Sequence, residues 1–379
     1  MPPCRTPRTL LAIPASLALL GLAPTGLLAL APTGSHTLAS GYSTESRAFA
    51  SPAPTGSNPV DAATDAALAL LVAQGKAPAA ALLTKDDSGS RFADAGQGIS
   101  RSDHFRAGSI TKTFIATVIL QLSAEHRLSL SDTVDAHLPG LLSGAGYGDS
   151  LTLRALLTHT SGLYDYTADT LGAVPVTPLQ AVRIALAHPP SAAPGQYAYS
   201  NTNYVLLGMI VERVTGNSYA TEAERRILVP LRLTGTSFPG ARTTLPSPHG
   251  RGYAADGSDV TELDPRVAGA AGELVTTLTD LDRFYAALLA GELLPPGQLR
   301  EMLDTRAAHG SYGMGLYPVK LPCGTTVWGH NGRISSSYVR TAATVDGRRV
   351  LTFRVNTDGI ADPDLEPALL AAEFCPRTE

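Results

Sequence analysis

A serine and a lysine three positions apart, Ser109 and Lys112, are the residues best suited to chemistry in this sequence. They open the segment 110–122, in which apolar residues recur every four positions, as in an amphipathic helix. Residues three apart share a helix face, so the lysine amine can reach the serine hydroxyl. A lysine whose pKa burial lowers can take the serine proton and create a nucleophile. The alternative is a chance Ser-x-x-Lys on a solvated helix surface.

A second group of polar residues lies 199 − 109 = 90 positions further on, in Tyr197-Ala198-Tyr199-Ser200-Asn201. Pro194-Gly195 marks a loop before it, and a helix is expected to begin at about Asn203. On such a loop Tyr199 can relay a proton to a leaving group, and Asn201 can hold a substrate carbonyl. The alternative is that Tyr197 and Tyr199 are packing aromatics.

The third group is Gly329-His330-Asn331-Gly332, just before or within a strand near the sheet edge. Its glycines allow the backbone to approach a ligand closely. The backbone N–H groups of Ser109 and Arg333 are then the expected oxyanion donors. The alternative for His330 is an ordinary hydrogen-bonded loop residue.

In this order the three motifs resemble those of the serine beta-lactamase and penicillin-binding superfamily. The second motif, Tyr-Ser-Asn, and the histidine in the third are similar to the secreted DD-carboxypeptidase and class C beta-lactamase branch. Segments 156–163, 199–204 and 312–316 resemble further parts of that branch's pattern. The resemblance runs from about Asp61 to Cys375.

The resemblance implies roles for individual residues. Ser109 is the expected acylated nucleophile, Lys112 its base, and Tyr199 the proton relay. Asn201 is the expected anchor of a substrate amide, and His330 a polar or cationic contact near the cleft. His159 is expected to hold a loop by hydrogen bonds.

The sequence departs from the family pattern after His330. DD-peptidases of this kind carry Thr-Gly-Thr there, whereas this chain has Asn331-Gly332-Arg333. The threonine hydroxyls help to hold a substrate's terminal carboxylate. All three residues are still expected to bind substrate, with the Arg333 guanidinium supplying the charge for a carboxylate.

The elements around these motifs predict an antiparallel sheet flanked by helices, built from both ends of the mature chain. Segments 58–130 and 265–379 are expected to form the sheet region, segment 131–264 a helical insert, with the active site between them. The predicted strands are 79–84, 91–98, 313–319, 338–345 and 350–356. The predicted helices are 61–71, 110–122, 153–157, 179–187, 204–214, 220–227, 280–289 and 364–374.

Charge and composition narrow the function classes. Of the 379 residues 16% are charged, and Lys+Arg 29 against Asp+Glu 33 gives 29 − 33 = −4. Without a basic run, a surface for nucleic acid is not expected. Lysine is scarce, with Lys76, Lys85, Lys112 and Lys320 as the only four.

The N-terminal segment predicts export. Arg5 and Arg8 precede a Leu- and Ala-rich run, as in a secretory signal peptide covering residues 1–39, and a disordered linker is expected over 40–57. The product would be secreted or periplasmic, with no stable membrane anchor after cleavage. The alternative is an uncleaved anchor, because the apolar run approaches a bilayer's width.

Export also bears on the cysteines. Cys4 lies in the segment that would be removed, which leaves Cys323 and Cys375 in an oxidising compartment. A disulfide between them is therefore predicted, joining the last helix to a late strand. The alternative is a pair of buried free thiols.

These expectations combine into an exported serine hydrolase, most consistent with a D-alanyl-D-alanine carboxypeptidase on cell-wall stem peptides. The alternatives are a class C-like beta-lactamase, a D-aminopeptidase, an esterase of the same fold, and a non-catalytic penicillin-binding sensor. No metal is expected, because no His-Glu-x-x-His or paired-cysteine spacing occurs. Neither a cofactor nor a nucleic-acid partner is expected, and the chain is expected to be a monomer.

Overall fold

Six strands from opposite ends of the folded chain form one antiparallel sheet in the order β2-β1-β8-β7-β6-β5. The structure is a computed structural model, and it describes residues 59–144 and 150–375. The expected signal peptide and linker, 1–39 and 40–57, lie outside the described residues. The strands are β1 Ala79–Asp86, β2 Gly89–Gly96, β5 Tyr317–Lys320, β6 Thr326–Ile334, β7 Ser337–Ala343 and β8 Val350–Val355.

The central strands are apolar on both faces because both faces of the sheet are covered. In β1, Ala79, Ala81 and Leu83 belong to one core, whereas the alternate residues Ala80 and Leu82 belong to a second core on the opposite face. Successive side chains of a strand point to opposite faces, so a continuous apolar run is what a doubly covered strand requires.

Helices from the two ends of the described chain cover the outer face. They are α1 Pro59–Ala73 and α11 Leu365–Phe374, which pack on each other and on the second core. The predicted disulfide is present: Cys375 at the end of α11 is bonded to Cys323 in the turn between β5 and β6. It therefore ties the outer helix layer to the strand that carries the third motif.

The other face of the sheet packs against α9 and the helices of the chain's middle part. A short strand pair, β3 Phe105–Arg106 and β4 Val275–Thr276, lies beside the site. The helices on this side are α2 Thr111–Ala124, α3 Val134–His137, α4 Leu153–Leu157, α5 Thr167–Thr170, α6 Pro178–Leu186, α7 Asn201–Thr215, α8 Tyr219–Ala223, α9 Leu278–Leu289 and α10 Pro296–Leu303. In the part of the chain that is described, no helix is both long and apolar enough to cross a bilayer.

Helix α2 differs from its predicted amphipathic form because it is buried on every side. Two of its threonines form hydrogen bonds inside the protein. The Thr113 hydroxyl donates to the carbonyl of Gly315, and the Thr117 hydroxyl donates to the carbonyl of Thr113. An all-round buried helix marks the centre of a large core, and this one carries Lys112.

The predicted fold class is confirmed, while several boundaries differ. Helix α7 begins at Asn201, because Ser200 is the last extended residue before it. The strand expected from residue 313 begins only at Tyr317, and the third motif lies within β6. The pair β3–β4 and helix α10 were not predicted, since two-residue strands and a helix opened by Pro295 and Pro296 leave little periodic pattern.

Candidate active site

Ser109 lies in a single turn of 3-10 helix, Gly108–Ile110, that leads directly into α2. Gly108 has a φ of +50°, the left-handed region that side chains disfavour. A Cβ at Gly108 would also lie 2.9 Å from the backbone nitrogen of Arg333. The glycine thus lets this turn sit directly against β6, which brings Ser109 and Arg333 to one place.

The Lys112 side chain is buried and reaches three oxygen atoms. Its Nζ lies 3.0 Å from the Ser109 hydroxyl, 2.8 Å from Oδ1 of Asn201 and 2.6 Å from the carbonyl of Ala271. Burial lowers the pKa of Lys112 to about 7, and the nearby carboxylate of Asp165 opposes this shift. The amine is therefore substantially neutral near pH 7 and above.

The three neighbours of Nζ match what a neutral amine can offer. A neutral amine has two N–H donors and one lone pair. Asn201 Oδ1 and the Ala271 carbonyl accept only, so they take the two N–H groups. The lone pair is then left for the Ser109 hydroxyl, which is the arrangement of a base about to remove a proton.

Tyr199 contacts the same serine from the other side. Its hydroxyl donates to Ser109 Oγ at 2.8 Å, and Lys112 Nζ lies 5.0 Å from the centre of its ring. Burial raises the pKa of Tyr199, so the hydroxyl keeps its proton at neutral pH. The ring stacks on His159 at a centroid distance of 4.2 Å, which fixes its position.

His159 is a buried neutral residue that holds the loop before α7. Its Nδ1 accepts from the backbone N–H of Ser200 at 3.2 Å and from Asn203 Nδ2 at 3.0 Å. Burial, then the charge of Lys112, lowers its pKa well below the ordinary value. His159 was expected to hold a loop by hydrogen bonds, and these hydrogen bonds are present.

Asn201 differs from the expected substrate anchor. Both N–H groups of its amide are already used, by Asp165 Oδ2 at 2.9 Å and by Thr167 Oγ1 at 3.1 Å. Its carbonyl faces Lys112. The side chain lines the cleft, but its donors are not free for a substrate carbonyl, and its evident task is to orient the lysine.

Gly332 brings β6 against the serine turn. A Cβ at this position would lie 1.8 Å from the carbonyl oxygen of Ala107, so no other residue fits without moving the strand. Ser109 and Arg333, whose backbone N–H groups are the two predicted oxyanion donors, both line the cleft.

The expected cationic contact from His330 is corrected by the structure. The residue is 2% exposed, and Nε2 accepts from the Tyr312 hydroxyl at 2.8 Å. Burial, with smaller effects from Lys112 and Arg340, lowers the pKa of His330 to about 3. The imidazole is neutral and lies behind the cleft, because side chains alternate along β6 and this one points into the core.

The side chain of Asn331 is likewise engaged within the protein. The Tyr317 hydroxyl donates to its Oδ1 at 3.1 Å, and its Nδ2 donates to the Tyr338 hydroxyl at 3.4 Å. Of the third motif and Arg333, only Arg333 lines the cleft. The Asn331 side chain therefore has partners within the protein and does not line the cleft.

The cleft itself has a volume of about 650 Å³ and opens at Ser109. Among the described residues, Arg333 and Asp358 are the only ones with charged side chains that line it, and a guanidinium nitrogen of Arg333 lies 3.2 Å from Asp358 Oδ2. Their charges offset each other. The apolar side chains of the wall are Leu171, Leu263, Val267 and Ile334.

Three groups that contribute to the site were not predicted from the sequence. They are the carboxylate of Asp165, the backbone carbonyl of Ala271 and the hydroxyl of Tyr312. A carbonyl carries no sequence signal. Asp165 lies within the Ser161–Thr167 stretch that follows the His159 loop. No periodic pattern in the sequence connects it with Lys112.

No set of three His, Cys, Asp or Glu side chains placed to bind a metal occurs within residues 59–144 and 150–375. The site supplies a hydroxyl nucleophile, an amine, a phenol and two backbone donors, which together suit acyl transfer.

Comparison with known proteins gives a consistent set of matches. The family model described as Beta-lactamase matches residues 60–373. A D-stereospecific amidohydrolase from Streptomyces sp. is 40% identical, with a TM-score of 0.78, covering 84% of this chain and 99% of that one. A D-amino acid amidase from Ochrobactrum anthropi SV3, solved with L-phenylalanine, is 27% identical, with a TM-score of 0.74, over 83% of this chain and 98% of that one.

Among curated proteins, a putative penicillin-binding protein PbpX from Bacillus subtilis (strain 168) is 32% identical over 216 residues, 56% of this chain and 53% of that protein. The protein flp of Staphylococcus aureus (strain NCTC 8325 / PS 47) is 30% identical over 54% of this chain and 42% of its own length. The chain thus spans about half the length of the curated relatives it matches.

Proposed function

Because the chain belongs to the beta-lactamase family, we propose that it is a serine amidohydrolase that acylates Ser109 with the D-configured residue of an amide or short peptide. The family match and the similarity to two amidohydrolases support a serine hydrolase, and we add the substrate class and the residue roles. Export from the cell, on the pattern of residues 1–39, belongs to it as well.

One observation carries the proposal: the Lys112 amine is buried, its pKa is lowered to about 7, and it lies 3.0 Å from Ser109 Oγ. Its two other contacts are acceptors, so in the neutral amine the lone pair faces the hydroxyl. A solvated helix surface would not bury a lysine in this way. Such an arrangement favours a base over a structural ion pair.

In acylation, Lys112 takes the Ser109 proton as Oγ bonds to the substrate carbonyl carbon. The carbonyl oxygen becomes an oxyanion and accepts from the backbone N–H groups of Ser109 and Arg333. Tyr199 passes a proton to the departing nitrogen, and the C–N bond breaks to release amine or ammonia. The Lys112 ammonium returns the proton to Tyr199, and both groups are ready for the second step.

In deacylation, a water molecule replaces the amine. Lys112 removes its proton as its oxygen bonds to the acyl carbon, and the same backbone donors stabilise the oxyanion. The ester bond to Oγ then breaks, and the serine recovers its proton. The free acid leaves and the enzyme is restored.

The cleft favours an apolar acyl residue and an uncharged leaving group. Leu171, Leu263 and Val267 supply an apolar wall. The Arg333 guanidinium is already compensated by Asp358, so a carboxylate on the leaving group would have to compete for it. The D-configuration is taken from the two amidohydrolases that the chain resembles.

A D-alanyl-D-alanine carboxypeptidase is the second candidate. In its favour, the Arg333 side chain is 70% exposed and its ion pair with Asp358 lies at the surface, where such pairs are weak. The guanidinium could then turn to a terminal carboxylate and bind it in a bidentate way. The similarity to a putative penicillin-binding protein points in the same direction.

A substrate panel separates the two candidates. Hydrolysis is measured for D-phenylalanine amide, L-phenylalanine amide and an N-acylated D-Ala-D-Ala peptide, with Ser109→Ala as the blank. The proposal expects the D-amide to be the best substrate. Higher kcat/KM for the D-Ala-D-Ala peptide, lost in Arg333→Ala, would establish the second candidate, and preference for the L-amide would refute both.

A further inference from the structure

A second cavity lies next to the catalytic cleft, and a wall of the protein separates the two. It has a volume of about 300 Å³, at the lower end of the range for small-molecule sites. The segment 268–271 forms the shared wall: Ala268 lines both spaces, while Gly269 and Ala270 face only the second cavity. The rest of the lining comes mainly from α6, α7 and Tyr219.

The lining is largely apolar. It includes Val176, Ala181, Val205, Met209 and Ala270. Tyr166 and Tyr219 also line it, and the Tyr166 hydroxyl donates a hydrogen bond to the carbonyl of Val267. An apolar space with few polar groups is the usual form of a ligand pocket.

One of the charged groups that line this cavity is a buried carboxylate. Glu273 is 4% exposed, and its Oε1 accepts from the Tyr219 hydroxyl at 2.6 Å. None of the ion pairs found in residues 59–144 and 150–375 includes Glu273. A buried charge without a counter-ion is costly, so a cation that bound beside Glu273 would be stabilised.

The surroundings of Glu273 add negative charge and no free positive charge. The titratable or charged residues that line the cavity are Glu273, Glu212, Tyr219, Tyr166 and Arg266. Arg266 is paired with Asp264 at 2.5 Å. Burial raises the pKa of Glu273 to about 6, against hydrogen bonds from Tyr219 and the Gly240 backbone, so the carboxylate is mostly ionised at pH 7.5.

We propose that this cavity is a binding site, separate from the catalytic cleft, for a small apolar amine whose ammonium group pairs with Glu273. The apolar body of the ligand fills the space beside Met209 and Ala181. A carboxylate ligand would be repelled by Glu273 and Glu212. A neutral ligand would leave the buried charge unpaired.

The probe that tests this site is 2-phenylethylamine, with 2-phenylethanol as its uncharged isostere and 3-phenylpropionate as an anion of similar shape. Binding is followed by isothermal titration calorimetry at pH 7.5 on the full chain. The amine is expected to bind at least about tenfold more tightly than the alcohol. Equal binding of the two, or no binding of the amine, would overturn the proposal.

Two variants locate the bound amine. Glu273→Gln keeps the size of the side chain and an acceptor for Tyr219, and should weaken amine binding about tenfold or more. Met209→Trp fills the cavity from α7 and should abolish binding. Unchanged amine binding in both variants, with far-UV circular dichroism showing that they are folded, would refute the site.

A matched acid in the catalytic cleft provides the control. Asp358→Asn removes the carboxylate that lines the cleft and should leave the affinity for the amine unchanged. Loss of binding in Asp358→Asn would place the amine in the cleft and contradict the proposal. Lowering the pH from 7.5 to 5 should weaken binding to the wild-type chain, because Glu273 is protonated while the amine stays charged. None of these readouts depends on hydrolysis, so the proposed function can fail without affecting this result.

Discussion

At the scale of single residues, the site depends on one lysine whose surroundings keep it neutral. Within the described part of the chain no carboxylate contacts Lys112, and its partners are a hydroxyl, an amide oxygen and a backbone carbonyl. Desolvation is therefore the main influence on its pKa. The negative charge of Asp165, which accepts a hydrogen bond from Asn201, opposes this influence.

The pH dependence of acylation follows from this pKa. Protonation of Lys112 removes the lone pair that faces Ser109, so kcat/KM should fall as the pH drops below about 7. The fall should reach roughly tenfold per pH unit at lower pH. A pH–rate profile from pH 5 to 9 checks this, and a flat profile over that range would be incompatible with Lys112 as the base.

Asp165 provides a way to move that profile. Its carboxylate stabilises the ammonium form, so Asp165→Asn should lower the pKa of Lys112 further and shift the acid limb to lower pH. The asparagine can still accept from Asn201, which preserves the geometry. Asp169→Asn, which changes a carboxylate bonded to Tyr164 and His188, is the control and should leave the limb in place. A shift to higher pH in Asp165→Asn would contradict this account.

Tyr199 is expected to contribute to catalysis through its hydroxyl and not through its ring. Tyr199→Phe keeps the stacking on His159 but loses the hydrogen bond to Ser109, and kcat/KM should fall by about 10²–10⁴-fold. Tyr197→Phe removes a hydroxyl from the neighbouring ring and should change kcat/KM less than about threefold. Equal losses in the two variants would show that the ring, and not the phenol, is what the site needs.

At the scale of elements, the site is made by the contact between the serine turn and β6. Two glycines permit it: Gly108 in its left-handed conformation and Gly332 against the carbonyl of Ala107. This close approach brings the backbone N–H groups of Ser109 and Arg333 together. Side chains of β6 contribute less than the sequence implied.

Gly332→Ala tests that contact. The added Cβ would lie 1.8 Å from the Ala107 oxygen, so β6 must move, and we expect a loss of about 1–3 kcal/mol in unfolding free energy with a large fall in kcat. Gly297→Ala in α10 meets no atom within 4 Å, and it should be neutral or stabilising by up to about 1 kcal/mol with unchanged kcat. Thermal unfolding and steady-state kinetics measure both. Full activity in Gly332→Ala would show that catalysis does not require this close contact between β6 and the serine turn.

The sequence predicted elements better than it predicted side-chain directions. The strand and helix patterns of 79–84, 110–122 and 350–356 correspond to β1, α2 and β8, because long apolar runs have a clear period. The inward direction of His330 and the engaged amide of Asn201 were not predicted. Both depend on tertiary partners, Tyr312 and Asp165, that lie far away in the sequence.

At the scale of the whole molecule, the two ends of the folded chain meet twice. Strand β1 pairs with β8, and helix α1 packs on α11, whose end the disulfide Cys323–Cys375 fastens to the turn before β6. The sequence could predict that both ends share one sheet from the strand patterns near each terminus, and the disulfide from the two remaining cysteines. It could not predict the strand order, because nothing in the sequence specifies which late strand meets β1.

The disulfide should stabilise the protein without affecting its chemistry. It closes a loop with a sequence separation of 52, worth about 4 kcal/mol in the loop-entropy treatment. The double variant Cys323→Ala/Cys375→Ala should therefore unfold at a lower temperature, with kcat and KM at 25 °C unchanged. Calorimetry and kinetics give both values. An unchanged melting temperature would mean that the bond contributes no stability.

The central claim is that Ser109 becomes acylated. The most direct measurement is mass spectrometry of acid-quenched protein after mixing with a fluorescent penicillin and, separately, with D-phenylalanine methyl ester, followed by peptide mapping. We predict an adduct on the peptide that contains Ser109 in the wild-type chain and none in Ser109→Ala, which should also lose hydrolysis. The absence of any Ser109 adduct, together with undiminished hydrolysis by Ser109→Ala, would contradict the account.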